Sequence, residues 1–126
     1  MSDLYIGLMS GTSLDGIDGV LADFSGPRLR VTHHASAAFA PALRTELLAL
    51  NTPGDNELHR AALAGNALSR AYAGVVHTLL QRSGHPASAI RAIGAHGQTV
   101  RHRPQEFDGT GSVSYTHLTL PTIYSV

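Results

Sequence analysis

Residues 5–21 read YIGLMSGTSLDGIDGVL, from Tyr5 to Leu21. A short apolar run leads into a turn that holds Ser10, Gly11, Thr12, Ser13, Asp15 and Gly16, and a second apolar run follows. Two apolar strands joined by such a turn predict a β-hairpin whose tip exposes backbone N–H groups and hydroxyls. Glycine has no Cβ, so the main chain there can approach a ligand closely. Successive N–H groups pointing into one concavity can cradle phosphate oxygens. Asp15 and Asp18 add carboxylates, which suit Mg²⁺ directly or through water. No lysine follows the glycines and β-type sequence comes next, so this is not the strand–GxxxxGK[ST]–helix loop, nor does it have GxGxxG spacing. On composition alone, an ordinary surface hairpin with a polar turn stays open as the competing reading.

Phe24 to Pro27 form the next turn signal. Arg28 to Ala35 then alternate apolar and polar residues as a third strand would. Pro41 opens a short helix with Leu43, Leu47 and Leu50 on one stripe. Asp55 is the expected N-cap of a long second helix that ends near Arg82. Leu58, Leu68, Tyr72, Val75, Val76 and Leu79 keep helical spacing along it, and Gly84 with Pro86 supplies the stop. Ile90 to Ala95 read as a short strand, buried on both faces if central. The order β-β-β-α-α-β predicts an α/β fold that begins like a ribonuclease H-like half-domain.

At the end of that last strand stands HGQT, His96 to Thr99. Ligands of open α/β sheets gather outside strand ends, so His96, Gln98 and Thr99 are placed to hydrogen-bond a polar ligand. The alternative for His96 is a local bond to a backbone carbonyl. Arg101, His102 and Arg103 form a small basic cluster, either a contact for an anion or a solvated loop.

Composition excludes several classes. Nine basic residues balance nine acidic ones over 126 residues, so neither a nucleic-acid tract nor a polybasic membrane patch is indicated. The absence of cysteine removes disulfides and thiolate metal sites. No signal peptide and no apolar run of the roughly 20 residues that a membrane helix needs are evident. The expected setting is intracellular. The eight histidines are scattered, without HExxH or similar spacing, so a histidine-based metal hydrolase is a weak rival.

LMSGTSLDGID and, at residues 93–102, IGAHGQTVRH together resemble the anhydro-N-acetylmuramic acid kinases, bacterial sugar kinases of the actin, Hsp70 and hexokinase superfamily. Both motifs stand in that family's order. The resemblance implies that Gly11, Thr12, Ser13, Leu14, Asp15, Gly16, Ile17 and Asp18 form the nucleotide-phosphate loop, with ATP and Mg²⁺ as cofactors and Asp15 and Asp18 near the metal. It places His96, Gln98 and Thr99 at the sugar-side cleft. It implies ATP-dependent conversion of 1,6-anhydro-N-acetylmuramic acid to N-acetylmuramic acid 6-phosphate with hydrolysis of the anhydro ring, in peptidoglycan recycling. The partner is then the anhydro-sugar, with a homodimer as the assembly to test for the full-length protein. The rival within the same fold is a non-catalytic nucleotide-binding module.

From Val113 the chain reads VSYTHLTLPTIYSV, β-prone and without a charged residue. The family's DFR…D…GGQGAPL region does not follow. VSYTHLTLPT is also a one-frame translation of transposase-end and adapter DNA used for sequencing libraries. Residues 1–112 are therefore expected to be the N-terminal part of the kinase domain, and 113–126 a non-native, adapter-encoded tail. No catalytic residue is assigned, because in that family the base lies in the region that does not follow. The chain by itself is expected to be inactive.

Overall fold

A computed structural model of the chain describes residues 3–11, 13–107 and 112–116, with side chains through Arg101. Alternation organises its first hairpin. In β1 (Leu4–Ser10), Ile6, Leu8 and Ser10 are buried on one face. In β2 (Ile17–Asp23), Ile17, Gly19 and Leu21 occupy the same face. The two pair antiparallel from Leu4↔Asp23 to Ser10↔Ile17, leaving residues 11–16 as the tip. The predicted hairpin is thus the observed one.

Strand β3 (Arg30–Ala37) pairs antiparallel with β2, two residues later than the sequence alone indicated. Strand β4 (Ile90–Ala95) lies parallel to β1, giving the order β3-β2-β1-β4. A parallel neighbour needs a crossover. Helices α1 (Pro41–Ala49) and α2 (Glu57–Ser83) supply it. The result is an α/β unit with a mixed sheet. A short 3₁₀ turn, Ala87–Ala89, leads into β4. Strands β5 (Thr99–Phe107) and β6 (Ser112–Thr116) form a separate antiparallel pair.

Helix α2 buries Leu68, Tyr72, Val75, Val76 and Leu79, a stripe at helical spacing, against the Ile6–Leu8 and Ile17–Leu21 face. Each such side chain contributes about 2 kcal/mol when fully buried. In α1 Leu47 is buried and Leu43 half-buried, and Leu50, the C-cap, is buried, as their spacing predicted.

Two expectations change, and the condition on a third, a central place for β4, is not met. Asp55 does not cap α2: Asn56 takes the N-cap position with a left-handed backbone (φ 56°), and the Glu57 carboxylate accepts the Gly54 N–H instead. Leu58 is 91% exposed, because the first turn of α2 carries it outside the core stripe. Strand β4 is an edge of the four-stranded sheet and is only partly buried, so it is not covered on both faces.

The face of the sheet away from α2 carries an open groove of about 620 Å³, with Tyr5, Phe24, Leu29 and Val31 along it. Tyr5 and Phe24 meet edge to face at 5.2 Å.

At the β2–β3 turn the Ser25 hydroxyl and N–H, followed by Arg30, lower the Asp23 carboxyl from 3.8 to about 2. A folded-state pKa below the unfolded one adds stability above the unfolded value that is lost as pH falls through the folded one. The gap in urea midpoint between the wild type and Asp23→Asn is therefore expected to close as pH drops from about 4 to about 2. A gap that stays constant over that window would contradict the assigned bonds.

Candidate functional site

The tip of the β1–β2 hairpin is held from within and open from without. Its inner anchor is Leu14, 1% exposed, which sits in the core with a left-handed backbone (φ 56°). Non-glycine residues rarely adopt that region, and such strain persists only where surrounding contacts over-determine it. Here the Leu14 N–H donates to the Gly11 carbonyl (3.1 Å), closing a turn, and Arg44 Nε donates to the Leu14 carbonyl (3.3 Å).

A second anchor lies at the base of the tip. Ser10 is 1% exposed, and its Oγ stands 2.8 Å from Tyr72 Oη, 2.9 Å from Gln98 Oε1 and 3.2 Å from the Gly97 carbonyl. Gln98 and Gly97 offer that hydroxyl only acceptors, so the Ser10 proton goes to that side, at the shortest to Gln98 Oε1, while the Tyr72 proton has Ser10 Oγ at 2.8 Å and the Gly97 carbonyl at 3.4 Å in reach. The Gln98 amide is turned so that Nε2 donates to the Gly11 carbonyl (3.3 Å). Burial raises the Tyr72 phenol above 10.0, against the opposing pull of its bonds to Ser10 and Gly97, so it stays a donor. Gly97 has φ 77°, a left-handed conformation open to glycine, and this turns its carbonyl toward Ser10 and Tyr72.

Outward, the tip separates two clefts. One, of about 490 Å³, is lined by Gly11, Ser13, Asp15, Gly16 and Asp18, with Ser36 opposite. The other, of about 800 Å³, is lined by Gly11 and Ser13 together with Asn51, His96, Thr99 and Val100. Asp15 and Asp18 are exposed. Asp18 lies 3.3 Å from His34 Nε2, in a pair that water reaches freely.

The residues singled out from sequence are thus largely brought together, in different roles. Gly11, Ser13, Asp15, Gly16 and Asp18 face the first cleft. Leu14 and Ile17 turn their side chains into the core, so only their main chains can meet a ligand. Thr12 lies outside the described residues. His96 is exposed at the second cleft; its N–H continues the β1–β4 ladder to the Leu8 carbonyl (3.0 Å), and its Nδ1 lies 3.1 Å from the Gly97 carbonyl. Thr99 lines the same cleft, whereas Gln98 is 2% exposed and spends its amide on Ser10 and Gly11. Arg101 binds the Glu57 carboxylate and the Leu50 carbonyl, tying the start of β5 to the loop between the helices. The side chains of His102 and Arg103 lie outside the described residues.

Sequence reasoning assigned Ser10 only to a polar turn and Tyr72 only to the core. The one available signal was a hydroxyl at an otherwise apolar, inward position of each element.

The donor set suits a nucleotide and its metal. A Cβ built on Gly11 would meet only Ser13 Oγ, at 3.6 Å, so the first residue of the tip borders open space. Two exposed carboxylates stand on the same cleft, the oxygen chemistry that Mg²⁺ takes. Among the described residues, no group of three or more His, Asp or Glu is placed to share a metal ion. Among them, too, no helix is long and apolar enough to cross a membrane.

Residues 3–118 match the family model described as anhydro-N-acetylmuramic acid kinase. The chain is 70% identical over 109 residues to a protein of that name from Variovorax paradoxus, covering 86% of this chain and 29% of the relative. It is 69% identical over 111 residues to the one from Albidiferax ferrireducens (88% and 28%), and 56% identical over 116 residues to that of Ralstonia nicotianae (92% and 30%). The chain therefore spans less than a third of the length of these curated relatives.

Proposed function

Because the chain belongs to the anhydro-N-acetylmuramic acid kinase family, we propose that it is the N-terminal, phosphate-holding part of an enzyme that converts 1,6-anhydro-N-acetylmuramic acid to N-acetylmuramic acid 6-phosphate. The reading follows from one observation: a hairpin tip anchored by buried groups, its outer surface shared by two clefts. On this reading the nucleotide's phosphates lie against the tip on the Asp15 and Asp18 side. The sugar occupies the side of His96 and Thr99, which donate hydrogen bonds to its polar groups. Phosphoryl transfer then runs across Gly11 and Ser13, which border both clefts.

The tip's amides hold the phosphate oxygens without reorganising, which is the larger part of catalysis in phosphoryl transfer. Asp15 and Asp18 would hold Mg²⁺ through its waters; when bound, the ion neutralises charge on the phosphates. Water attacks the anomeric carbon and gives its proton to a carboxylate, the bridge oxygen departs as the 6-oxygen, and that oxygen takes the γ-phosphoryl group as ADP leaves. On this reading the carboxylate that activates the water belongs to the part of the relatives' length, more than two thirds, that this chain does not span. We read the β-β-β-α-α-β order as the start of a ribonuclease H-like half-domain of the actin, Hsp70 and hexokinase type, residues 113–126 as adapter-encoded, and the site of action as the cytoplasm, where ATP is made.

The test joins residues 1–112 to the remainder of the Variovorax paradoxus kinase. The folded chimera is expected to consume ATP only with anhydro-sugar present and to release the 6-phosphate, and the 126-residue chain alone to give no turnover. A folded chimera without sugar-dependent ATP consumption would favour the non-catalytic nucleotide-binding module. In the same chimera, Asp15→Ala is expected to raise the magnesium concentration for half-maximal turnover about tenfold. An unchanged magnesium titration would remove Asp15 from the metal's surroundings.

A further inference from the structure

We propose that Tyr72, in the middle of α2, is a positioning residue for the phosphate-holding tip, acting through Ser10 and Gln98 on the Gly11 carbonyl. The contacts form one chain: Tyr72 Oη meets Ser10 Oγ (2.8 Å), Ser10 O–H donates to Gln98 Oε1 (2.9 Å), and Gln98 Nε2–H donates to the Gly11 carbonyl (3.3 Å). The three side chains are buried, Tyr72 0%, Ser10 1% and Gln98 2% exposed, and the last bond, to Gly11, is part-buried. Water cannot substitute for a lost partner there, so each vacancy leaves an unmet polar group. The Gly11 carbonyl takes a second bond from the Leu14 N–H (3.1 Å), so two donors fix the peptide that opens the tip.

The Tyr72 proton has two acceptors in reach, Ser10 Oγ at 2.8 Å and the Gly97 carbonyl at 3.4 Å, and the shorter contact joins it to Ser10. Ser10 has one proton and faces two acceptor-only partners besides Tyr72. Remove the Tyr72 hydroxyl and Ser10 keeps its donation to Gln98 but loses its 2.8 Å partner, while the Gly97 carbonyl loses a bond at 3.4 Å. Remove the Gln98 amide and the Gly11 carbonyl is left with Leu14 alone. The link joins three elements far apart in sequence: the end of β1, the middle of α2 and the residues after β4. Gln98 belongs to this link, so its head group serves the tip from beneath while His96 and Thr99 remain at the cleft.

The kinetic arm of the test rests on the function proposed above; the exchange arm does not. In the chimera, Tyr72→Phe keeps the ring and removes one hydroxyl, and Gln98→Leu keeps the volume and removes both amide bonds. Each is expected to raise KM for magnesium-ATP, about five- to tenfold for Tyr72→Phe and more for Gln98→Leu, with KM for the anhydro-sugar unchanged. The double variant should fall short of the product of the two effects, because both act through Ser10. Amide exchange in a peptide spanning residues 9–18 should accelerate in both variants, while peptides from the C-terminal half of α2 keep their rates. A merely structural role would lower Tm and speed exchange along α2 with KM for ATP unmoved, and that outcome overturns the proposal. Should the unmodified chimera show no kinase activity, the function fails by itself. Faster exchange confined to residues 9–18 would then still support the link, and unchanged exchange there would refute it.

Discussion

Gly11→Val, in the full-length chimera, is expected to cut kcat/KM for ATP by about 100-fold or more while Tm stays within about 2 °C. The asymmetry comes from where the new side chain would go. A Cβ on Gly11 meets only Ser13 Oγ at 3.6 Å, and its backbone lies outside the left-handed region, so the fold accommodates the change. The branched methyls would instead fill the space bordering both clefts, displacing whatever lies against the tip. Gly16 provides the contrast. A Cβ there would lie 2.8 Å from the Ala37 carbonyl oxygen, which is main chain, so Gly16→Ala must move β3 and lose stability as well as activity. Comparing the two variants by turnover and melting separates a blocked ligand from a damaged scaffold. Unchanged turnover in Gly11→Val would strip the hairpin tip of its assigned role.

Gly19→Val is expected to produce the largest loss of stability, about 3 kcal/mol, read as a Tm lower by roughly 10 °C. Gly19 lies on the β2 face that α2 covers, and a Cβ there would stand 2.5 Å from Val75 Cγ1, 3.1 Å from Leu8 Cδ2 and 3.2 Å from Leu79 Cδ1. Real Cβ atoms do not approach so closely. Val75 is β-branched, 2% exposed and fixed in a helix, so it has no free rotamer into which to retreat. Interiors are packed nearly as densely as organic crystals, so the helix itself would have to lift. The second arm is compensation: Val75→Ala opens the contested volume and should recover much of the loss in Gly19→Ala. Purely additive losses in that pair would show that the two residues do not compete for the same space.

The two variants also mark what each glycine of the hairpin is for. Gly11 keeps a surface clear for a ligand, and Gly19 keeps a surface clear for a helix. Both stand in the same 17-residue stretch, and composition does not distinguish them.

What the amino-acid order determined by itself was everything with a local period. The hairpin of β1 and β2, the Leu68–Leu79 stripe of α2 and the strand leading to HGQT were all legible, because alternation and helical spacing are fixed by residues a few positions apart. The glycine-rich tip was legible from its own local order, and the family from the resemblance of LMSGTSLDGID and IGAHGQTVRH. Tertiary structure alone decided which groups of that tip face inward. Ser10 meets Tyr72 across 62 residues and Gln98 across 88, pairings that no period in the chain encodes. It decided too that Leu58 stands in solvent and that β4 forms an edge, since burial depends on where α2 overruns the sheet and on which strands lie alongside. A hydroxyl within an apolar run looks the same in sequence whether water or a tyrosine satisfies it; only the packing of distant elements makes that choice.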